Sequence, residues 1–308
     1  MRQSTRLIDR FVRQSDRLTD TLRRSGYIIR PMSPDQYCEQ KAVPAGSTLY
    51  YSVLFLPQPQ RRAVIALYAL CRELQDAVDQ ASDPGVARAK VLWWRNELQA
   101  GFTGRPQHPV MHALAPVIRE YGLTLERLTE IVEGAQLDLD YNRYPDFATV
   151  EVYCYRVAGV ACMLTAQILG FTRPATLEFA RALGTALELT EIIRAVGADA
   201  RRNRIYLPLD ELSLFGLTAD DIIALREDER FEHLMALQIE RAHSYFDRAA
   251  ALLPREDRKA QRANLVMAAL HRTLLVEIGQ LRGRTMNQRV ALTPARKLWV
   301  AWKTWIAS

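Results

Sequence analysis

The stretch AVIALYALCRELQDAVD at residues 63–79 repeats apolar side chains at helical spacing, yet it carries acids near its end. Pro59 precedes it, in a position that favours the start of a helix. Asp76 and Asp79 are three residues apart, so they are neighbours on one helical face, and Arg72 lies one turn earlier. The stretch therefore predicts a long helix that presents two carboxylates and a guanidinium close together.

A second stretch, ELTEIIRAVGAD at residues 188–199, has the same character. At about 100° per residue, Glu188, Glu191 and Asp199 fall within an arc of about 80°. Acids on helices that face a cavity suit Mg²⁺, which takes one or two carboxylates and completes its shell with water and substrate phosphate. The alternative is a solvated face with Glu–Arg pairs within each helix, and the two stretches leave both interpretations open.

Helical periodicity continues through nearly all of the chain and is punctuated by glycine and proline. Runs of alternating β-branched residues are missing, and so are the Gly-rich loops that bind nucleotides. No linker longer than a few residues divides the chain, so the sequence predicts one all-α domain over residues 31–308. Beyond the first stretch, the predicted helices cover 85–101, 111–121, 124–140, 147–170, 174–199, 218–225, 229–252, 257–281 and 293–307.

Residues 1–30 are predicted to form an amphipathic helical extension in front of this domain, with its apolar residues on one arc and its arginines on the opposite arc. The formal net charge of +6 conceals an uneven distribution. Residues 1–32 carry +5, residues 255–308 carry +8 and the acidic middle carries −7. Basic ends can indicate nucleic-acid binding, but no nucleic-acid motif accompanies them, so we expect no such partner.

The composition excludes a disordered chain, because 49% of the residues are hydrophobic and only 25% are charged. No run of 18 apolar residues predicts a transmembrane span, and the N-terminus lacks the apolar stretch of a secretory signal. The four cysteines are scattered without a CxxC pair, and the histidines lack an HExxH pattern. These features predict reduced thiols, no zinc site and a cytoplasmic location.

Four sequence blocks follow one another at residues 49–57 (LYYSVLFLP), 68–79, 153–159 (YCYRVAG) and 192–208. Together they resemble the squalene/phytoene synthase family. Within that family, three shorter elements are most similar to the bacterial presqualene diphosphate synthases of hopanoid pathways. These elements are residues 142–144 (NRY), 201–208 (RRNRIYLP) and 296–299 (RKLW). The resemblance covers roughly residues 33–305 and leaves out residues 1–30.

The resemblance implies an all-α isoprenoid-synthase fold, which is a helical bundle around a central cavity. It also implies an enzyme that transfers prenyl groups and joins two farnesyl-type diphosphates head to head, giving presqualene diphosphate or a related product. Two acid-bearing helices would face each other across the cavity and hold Mg²⁺ on the diphosphates, which offsets the charge of the leaving group as the allylic C–O bond ionises. Apolar walls would keep water from the resulting cation.

The resemblance assigns roles to individual residues. The implied catalytic residues are Tyr68, Tyr153, Glu188 and Glu191. The implied residues for diphosphate binding are Thr48, Tyr51, Arg72, Arg194 and Arg289. The implied metal ligands are Asp76, Asp79, Glu191 and Asp199. In the alternative interpretation, the arginines pair locally with acids and the tyrosines pack in the cavity wall.

Several cavity positions depart from the family pattern. Gln75 and Ala195 stand where the family's two DxxxD motifs begin with Asp, which puts the Mg²⁺ site in question. Glu188 and Glu191 stand where the family has Gln and Asn. Two carboxylates are therefore lost and two are gained, so the number of acids stays level.

Two more positions differ, since His271 replaces a tyrosine and Cys162 replaces a glycine, which would narrow a prenyl channel. These departures leave two hypotheses. In the first, the acidic ligands move about one turn upstream of Ala195 and Mg²⁺-assisted prenyl chemistry is retained. In the second, the protein binds a prenyl ligand or an assembly partner without catalysis. An open cavity on which the acids converge would favour the first, and a cavity filled by side chains would favour the second.

The C-terminal helix carries an apolar arc of about 120° that is flanked by Arg296 and Lys303. The arc contains Leu298, Trp299, Trp302, Trp305 and Ile306. Tryptophans beside cations suit a membrane interface, so the three indoles predict peripheral association with the inner face of the membrane. The alternative is that these rings pack against the bundle.

Overall fold

The predicted all-α class is confirmed. The computed structural model describes residues 32–81 and 83–308, and within these ranges no β-strand forms. The predicted extension at residues 1–30 lies outside the described residues, so its helix stays a prediction. The compact unit that carries the cavity is Pro34–Ser308.

The helices are numbered here in chain order. The first seven are α1 (Pro34–Ala42), α2 (Thr48–Val53), α3 (Gln58–Asp79), α4 (Pro84–Phe102), α5 (Pro109–Tyr121), α6 (Leu125–Asp140) and α7 (Phe147–Cys154). A π-helical turn (Tyr155–Gly159) leads into α8 (Val160–Leu169) and α9 (Ala175–Ala200). The remainder are α10 (Leu209–Leu214), α11 (Ala219–Ile223), α12 (Glu229–Leu252), a 3₁₀ turn (Arg255–Asp257), α13 (Arg262–Gln280) and α14 (Pro294–Ala307).

The predicted boundaries differ from the structure in a few places. The sequence prediction omits α1, α2 and α10, because helices of one or two turns show too little periodicity to be recognised. The helix predicted over 257–281 begins only at Arg262, because the segment before it contains the 3₁₀ turn. The helix predicted over 147–170 is interrupted by the π-helical turn.

Most helix starts have a polar cap that satisfies the free backbone N–H groups of the first turn. Asp83 caps α4 by accepting hydrogen bonds from the backbone of Gly85 and Val86. Thr293 caps α14 by accepting one from the backbone of Arg296. Gly122 ends α5 in the left-handed region, with φ of +64°, where a glycine costs least.

Asp257 joins the start of α9 to the segment before α13. Its carboxylate accepts hydrogen bonds from the backbone and hydroxyl of Thr172 at 2.8 Å each, from the backbone of Arg173 at 3.1 Å and from the Thr176 hydroxyl at 2.6 Å. The side chain is buried. Burial opposes the ionised form, but these hydrogen bonds outweigh it and lower the pKa of Asp257 to about 2.

Long helices from different parts of the chain surround a central cavity. α9 is the central helix, and it packs against α12, α8, the π-helical turn and α13. α3 packs against α6 and α8 on the other side of the cavity. Both acid-bearing stretches, on α3 and α9, therefore border the same space.

The π-helical turn brings a wall of the cavity close to α9. A Cβ atom on Gly184 of α9 would overlap the backbone of Gly159 in this turn, so glycine permits the two segments to touch. Val157 and Ala158, within the turn, line the cavity. π-helical turns inside helices are frequent at functional sites, because they shift the side chains that follow.

One continuous helical segment, Phe147–Leu169, is long and apolar enough to cross a membrane by length and composition alone. In the structure, 67% of its most apolar part is buried inside the protein. It includes the π-helical turn and α8, which pack against α9. Its apolar character is therefore accounted for by its position in the interior of the bundle.

The last helix, α14, packs against α13 and α2. For one of its three tryptophans the structure shows the alternative, in which the ring packs against the bundle. Trp305 is half-buried, with its ring centroid 5.5 Å from that of Phe55 and the Arg262 guanidinium 5.5 Å above it. Trp299 and Trp302 are exposed, as the prediction requires.

Candidate active site

Two adjoining cavities lie at the centre of the bundle. The apolar cavity has a volume of about 190 Å³, and its apolar walls include Leu74, Val78, Ile131, Val157, Leu187 and Met267. The polar cavity has a volume of about 120 Å³ and is lined by Asp79, Tyr153, Asp199, Arg202, Arg204 and Tyr206, among others. Four residues line both cavities: Gln75, Asp138, Glu188 and Glu191. These four residues mark the boundary between an apolar and a charged space.

Asp79, the last residue of α3, is held by two arginines from the segment after α9. Arg204 donates to its Oδ1 at 2.7 Å and Arg202 donates to its Oδ2 at 3.0 Å. Arg204 is largely buried and Arg202 is exposed. Both cations thus lie in the wall of the polar cavity, beside the acid that they hold.

Asp138 on α6 is a cavity acid that the sequence analysis misses. The Tyr206 hydroxyl donates to its Oδ1 at 2.7 Å, and the Tyr153 hydroxyl lies 3.3 Å from its Oδ2. Burial, with a smaller contribution from the charge of Asp79, raises the pKa of Asp138 to about 6, although the two tyrosines and Arg204 oppose the shift. No acidic residue lies three or four positions from Asp138 in the sequence, so it forms no acid pair on one helical face. Only the structure identifies it.

Glu188 and Asp199 are the acids whose ionisation the surroundings oppose most. Burial, assisted by the charges of Glu191 and Asp138, raises the pKa of Glu188 to about 8. Burial and the charge of Asp79 raise the pKa of Asp199 to about 7, against the effect of Arg202. Both groups would ionise more readily if a cation entered the polar cavity.

Glu191 has partners on both of its oxygens. Arg194 forms a very short ion pair with its Oε2, and His271 Nε2 lies 3.4 Å from its Oε1. Burial opposes ionisation, but His271 and Arg194 outweigh it and lower the pKa of Glu191 to about 2. Nδ1 of His271 lies 2.9 Å from the carbonyl oxygen of Met267. His271 is thus a fully partnered helix histidine in the wall of the apolar cavity.

The structure does not bring Asp76 to the cavities, which corrects its prediction as a metal ligand beside Asp79. Its carboxylate binds Lys41 at 2.8 Å, on a side of α3 that faces α1 and α4. Gln75, one residue earlier and about 100° away around the helix, faces both cavities instead. Arg72 is exposed and donates to Gln75 at 3.3 Å, but it lines neither cavity itself.

The other residues predicted to bind diphosphate line neither cavity: Thr48, Tyr51, Arg194 and Arg289. Thr48 and Tyr51 are on α2, which packs against α13 and α14. Arg289 lies in the segment before α14 and is exposed. Burial, together with the charges of Arg194 and Arg289, lowers the pKa of Lys297 on α14. Of these cations, Arg194 is the one that contacts Glu191.

The two predicted catalytic tyrosines occupy different cavities. Tyr68 lines the apolar cavity and Tyr153 lines the polar one. Burial raises the pKa of both hydroxyls well above the ordinary value. Neither phenol can ionise near neutral pH, so each can act as a hydrogen-bond donor or as part of the wall.

The donors of the polar cavity fit a hard divalent cation, although no cluster is ready-made. Within residues 32–81 and 83–308, no three His, Cys, Asp or Glu side chains are arranged to hold a metal ion. Mg²⁺ needs only one or two carboxylates, with water and phosphate as its other ligands. Asp79 and Asp199 reach the same cavity from α3 and α9, and both offer oxygen donors.

Comparison with known proteins identifies the family. The squalene/phytoene synthase family profile matches residues 43–296. The chain is 33% identical to the phytoene synthase of Arthrospira platensis, over 85% of this chain and 89% of that protein. It is 31% identical to the 15-cis-phytoene synthase of Synechococcus elongatus, again over 85% and 89% of the two chains.

Solved structures show the same fold. The squalene synthase HpnC from Alicyclobacillus acidocaldarius matches with a TM-score of 0.71 and 26% identity, over 81% of this chain and 94% of that one. A dehydrosqualene synthase matches with a TM-score of 0.78 over 88% and 95% of the two chains, and at 22% identity it supports the fold alone. The two cavities, the facing acid-bearing helices and these matches agree: the chain belongs to the squalene/phytoene synthase family, whose members are prenyltransferases.

Proposed function

We propose that this protein condenses two farnesyl-type diphosphates head to head, with the assistance of Mg²⁺, to presqualene diphosphate or a related product. The observation that carries the proposal is the boundary formed by Gln75, Asp138, Glu188 and Glu191, which line both cavities. A prenyl diphosphate has one apolar and one anionic part. With its chain in the apolar cavity and its diphosphate in the polar cavity, the allylic C–O bond would lie at this boundary.

Members of the family typically use a divalent metal to bind diphosphate. In this chain the proposed Mg²⁺ ligands are Asp79 and Asp199, because they enter the polar cavity from opposite sides and Glu191 is already partnered. When bound, the ion would offset charge on the departing diphosphate. Gln75 and Ala195 contribute no charge at the first positions of the two DxxxD motifs. The proposed Mg²⁺ site therefore depends on the last acid of each motif, Asp79 and Asp199.

Arginines supply the remaining positive charge around the diphosphate. Arg202 and Arg204 both reach Asp79. A diphosphate that enters the polar cavity offers them better acceptors, because a guanidinium can donate to two phosphate oxygens at once. In this proposal the two arginines bind the diphosphate and leave Asp79 free for the metal.

The carbon chemistry belongs to the apolar cavity. Ionisation of the first substrate breaks its C–O bond, and the double bond of the second molecule attacks the allylic cation. A cyclopropane then forms as one proton is lost, so two farnesyl diphosphates give one presqualene diphosphate, one diphosphate and one proton. The apolar walls exclude water that would capture the cation. Without a metal ion, burial favours the neutral form of Glu188 at this boundary.

The cavities also bear on the noncatalytic alternative, in which the chain only binds a prenyl ligand or a partner. That alternative expects a cavity filled by side chains. The apolar cavity is open, and Asp79, Glu188, Glu191 and Asp199 converge on the polar cavity. These observations favour an enzyme.

Product analysis tests the proposal. Purified protein is incubated with Mg²⁺ and either farnesyl or geranylgeranyl diphosphate, and the extracted lipids are identified by mass spectrometry. We expect a 30-carbon cyclopropyl diphosphate from the farnesyl substrate. A 40-carbon product alone would correct the substrate to geranylgeranyl diphosphate. Binding of either diphosphate with no product would support the noncatalytic alternative.

A further inference from the structure

The outer face of α14 exposes a continuous apolar surface, which we call the tryptophan face. It consists of Leu298, Trp299, Trp302 and Ile306, of which Trp299 is 59% exposed and Ile306 is 62% exposed. The two indoles contact each other, with ring centroids 5.2 Å apart. At about 100° per residue the four side chains share one side of the helix. Such a surface on a single helix indicates a partner that covers it.

The opposite side of α14 belongs to the bundle. Ala301 is buried, and Trp305, at the edge of the apolar arc, packs against Phe55. Lys297, which is about 150° around the helix from the centre of the tryptophan face, donates to the carbonyl oxygen of Gly46 at 2.7 Å. α14 is therefore fixed in orientation, and its tryptophan face cannot turn inwards.

The charge around the tryptophan face selects among possible partners. Lys303 and Arg296 flank it, although Arg296 is paired with Glu277, and residues 255–308 as a whole carry a net charge of +8. A second copy of this chain would bring the same cations against the face, which opposes self-association. An anionic lipid surface instead complements the cations, and its headgroup region accepts indole rings.

We propose that the tryptophan face docks the protein onto an anionic lipid bilayer, at the inner face of the membrane. The inner side of α14 carries Lys297, whose charge environment includes Glu191, Arg194 and Arg289. Lys297 and the tryptophan face lie on opposite sides of α14, so about one helix diameter, roughly 10 Å, separates them. Resting on the proposed function, docking through this face would bring a water-insoluble prenyl product close to the bilayer.

Vesicle binding of the full chain tests the docking. Sedimentation is measured with vesicles of phosphatidylcholine alone and with vesicles that contain phosphatidylglycerol. We expect binding that requires the anionic lipid. The double variant Trp299→Ser/Trp302→Ser should bind the anionic vesicles at least about tenfold more weakly. Lys303→Glu should weaken binding to anionic vesicles.

The matched control replaces exposed apolar residues on other helices. Leu92 is 59% exposed and Leu214 is 76% exposed, so Leu92→Ser/Leu214→Ser removes comparable surface away from α14. This control should bind within about twofold of the parent. Circular dichroism checks that each variant is folded.

Three results would overturn the docking proposal. The parent could fail to bind anionic vesicles, the tryptophan double variant could bind as well as the parent, or the double variant could convert a dimer to a monomer in size-exclusion chromatography. The last result would assign the face to a contact between copies. Activity on detergent-dispersed farnesyl diphosphate is measured in parallel, so that vesicle binding without activity refutes the proposed reaction and not the docking.

Discussion

Asp76 binds Lys41 at 2.8 Å and lies on a side of α3 that does not face the central cavities. Asp79, three residues later, lines the polar cavity. Two acids that are neighbours in a helical projection therefore belong to different environments. Of these two acids, only Asp79 is therefore placed to hold the Mg²⁺ that we propose.

The first prediction compares these two acids. Asp79→Asn should lower Mg²⁺-dependent diphosphate release by at least about 100-fold, because the metal loses a charged ligand where the leaving group departs. Asp76→Asn should change the rate by no more than about threefold. Its ion pair with Lys41 is partly exposed, so the variant should lose no more than about 1 kcal/mol of stability. Equal losses of activity in both variants would contradict the assignment.

The second prediction concerns Glu188 and pH. Its pKa is raised from the ordinary value of 4.5 to about 8, so between these values the folded protein keeps a proton that the unfolded chain has lost. The contribution of Glu188 to stability is therefore complete below pH 4.5 and is lost as the pH rises to about 8. Glu188→Gln removes this dependence.

Urea unfolding without metal at pH 5 and pH 8 measures the effect. At each pH the effect of Glu188→Gln is the unfolding free energy of the variant minus that of the parent. This difference should be about 1–3 kcal/mol more favourable to the variant at pH 8 than at pH 5. Glu178→Gln provides a control on the same helix, since Glu178 lies in the first turn of α9 and outside both cavities. A Glu188→Gln effect that is the same at both pH values would refute a raised pKa.

Much of the fold could be predicted from the sequence, because long helices with apolar periodicity identify themselves. α3 and α9 lie where the two acid-bearing stretches predict them. The π-helical turn at Tyr155–Gly159 could not be predicted, since one extra residue per turn leaves no mark on the periodicity of a helix that is apolar on every side. The helix start at Arg262 depends on the local turn that contains Asp257, which bonds to a segment more than 80 residues earlier.

The site was harder to predict, because spacing shows which residues share a helical face but not which face meets the cavity. Gln75 faces the cavities and Asp76 does not, although they are adjacent. Asp138 is a single acid between two leucines, so no pair or motif marks it. Trp305 shares an arc with Trp302, yet Phe55 covers it. Each case depends on a contact with a distant part of the chain.

The third prediction concerns the buried carboxylate of Asp257. Asp257→Ala should destabilise the protein by about 3 kcal/mol, because it leaves the donors of Thr172, Arg173 and Thr176 without their acceptor. Its pKa is lowered to about 2, so its contribution is present above the ordinary value of 3.8 and is lost as the pH falls through about 2.

Urea unfolding at pH 7 measures this difference. The neighbouring Glu256→Ala serves as the control, since Glu256 is an exposed partner of Arg173 and should change stability by no more than about 0.5 kcal/mol. Similar losses in the two variants would show that the hydrogen bonds of Asp257 do not carry the effect.

The fourth prediction concerns the width of the apolar cavity. Cys162 lines it, and Cys162→Ala removes the sulfur without placing a glycine in α8. The ratio of kcat/KM for geranylgeranyl over farnesyl diphosphate should rise by about tenfold, because the longer chain gains room. Cys154→Ala is the matched control, since Cys154 is also a buried helix cysteine but lies outside the cavity walls. An equal change of this kcat/KM ratio in the two variants would show that Cys162 does not limit the chain length of the substrate.

In the proposed reaction, prenyl diphosphates ionise at the boundary between the two cavities and then condense. The most direct test measures diphosphate released against farnesyl diphosphate consumed, with Mg²⁺ and with a chelator, for the parent and for Asp79→Asn. We expect release that depends on Mg²⁺, in a ratio of one diphosphate to two farnesyl diphosphates in the first condensation, and its loss in Asp79→Asn. A one-to-one ratio with a free alcohol would show hydrolysis instead of condensation, and release that neither the chelator nor Asp79→Asn alters would refute ionisation at a Mg²⁺ site that contains Asp79.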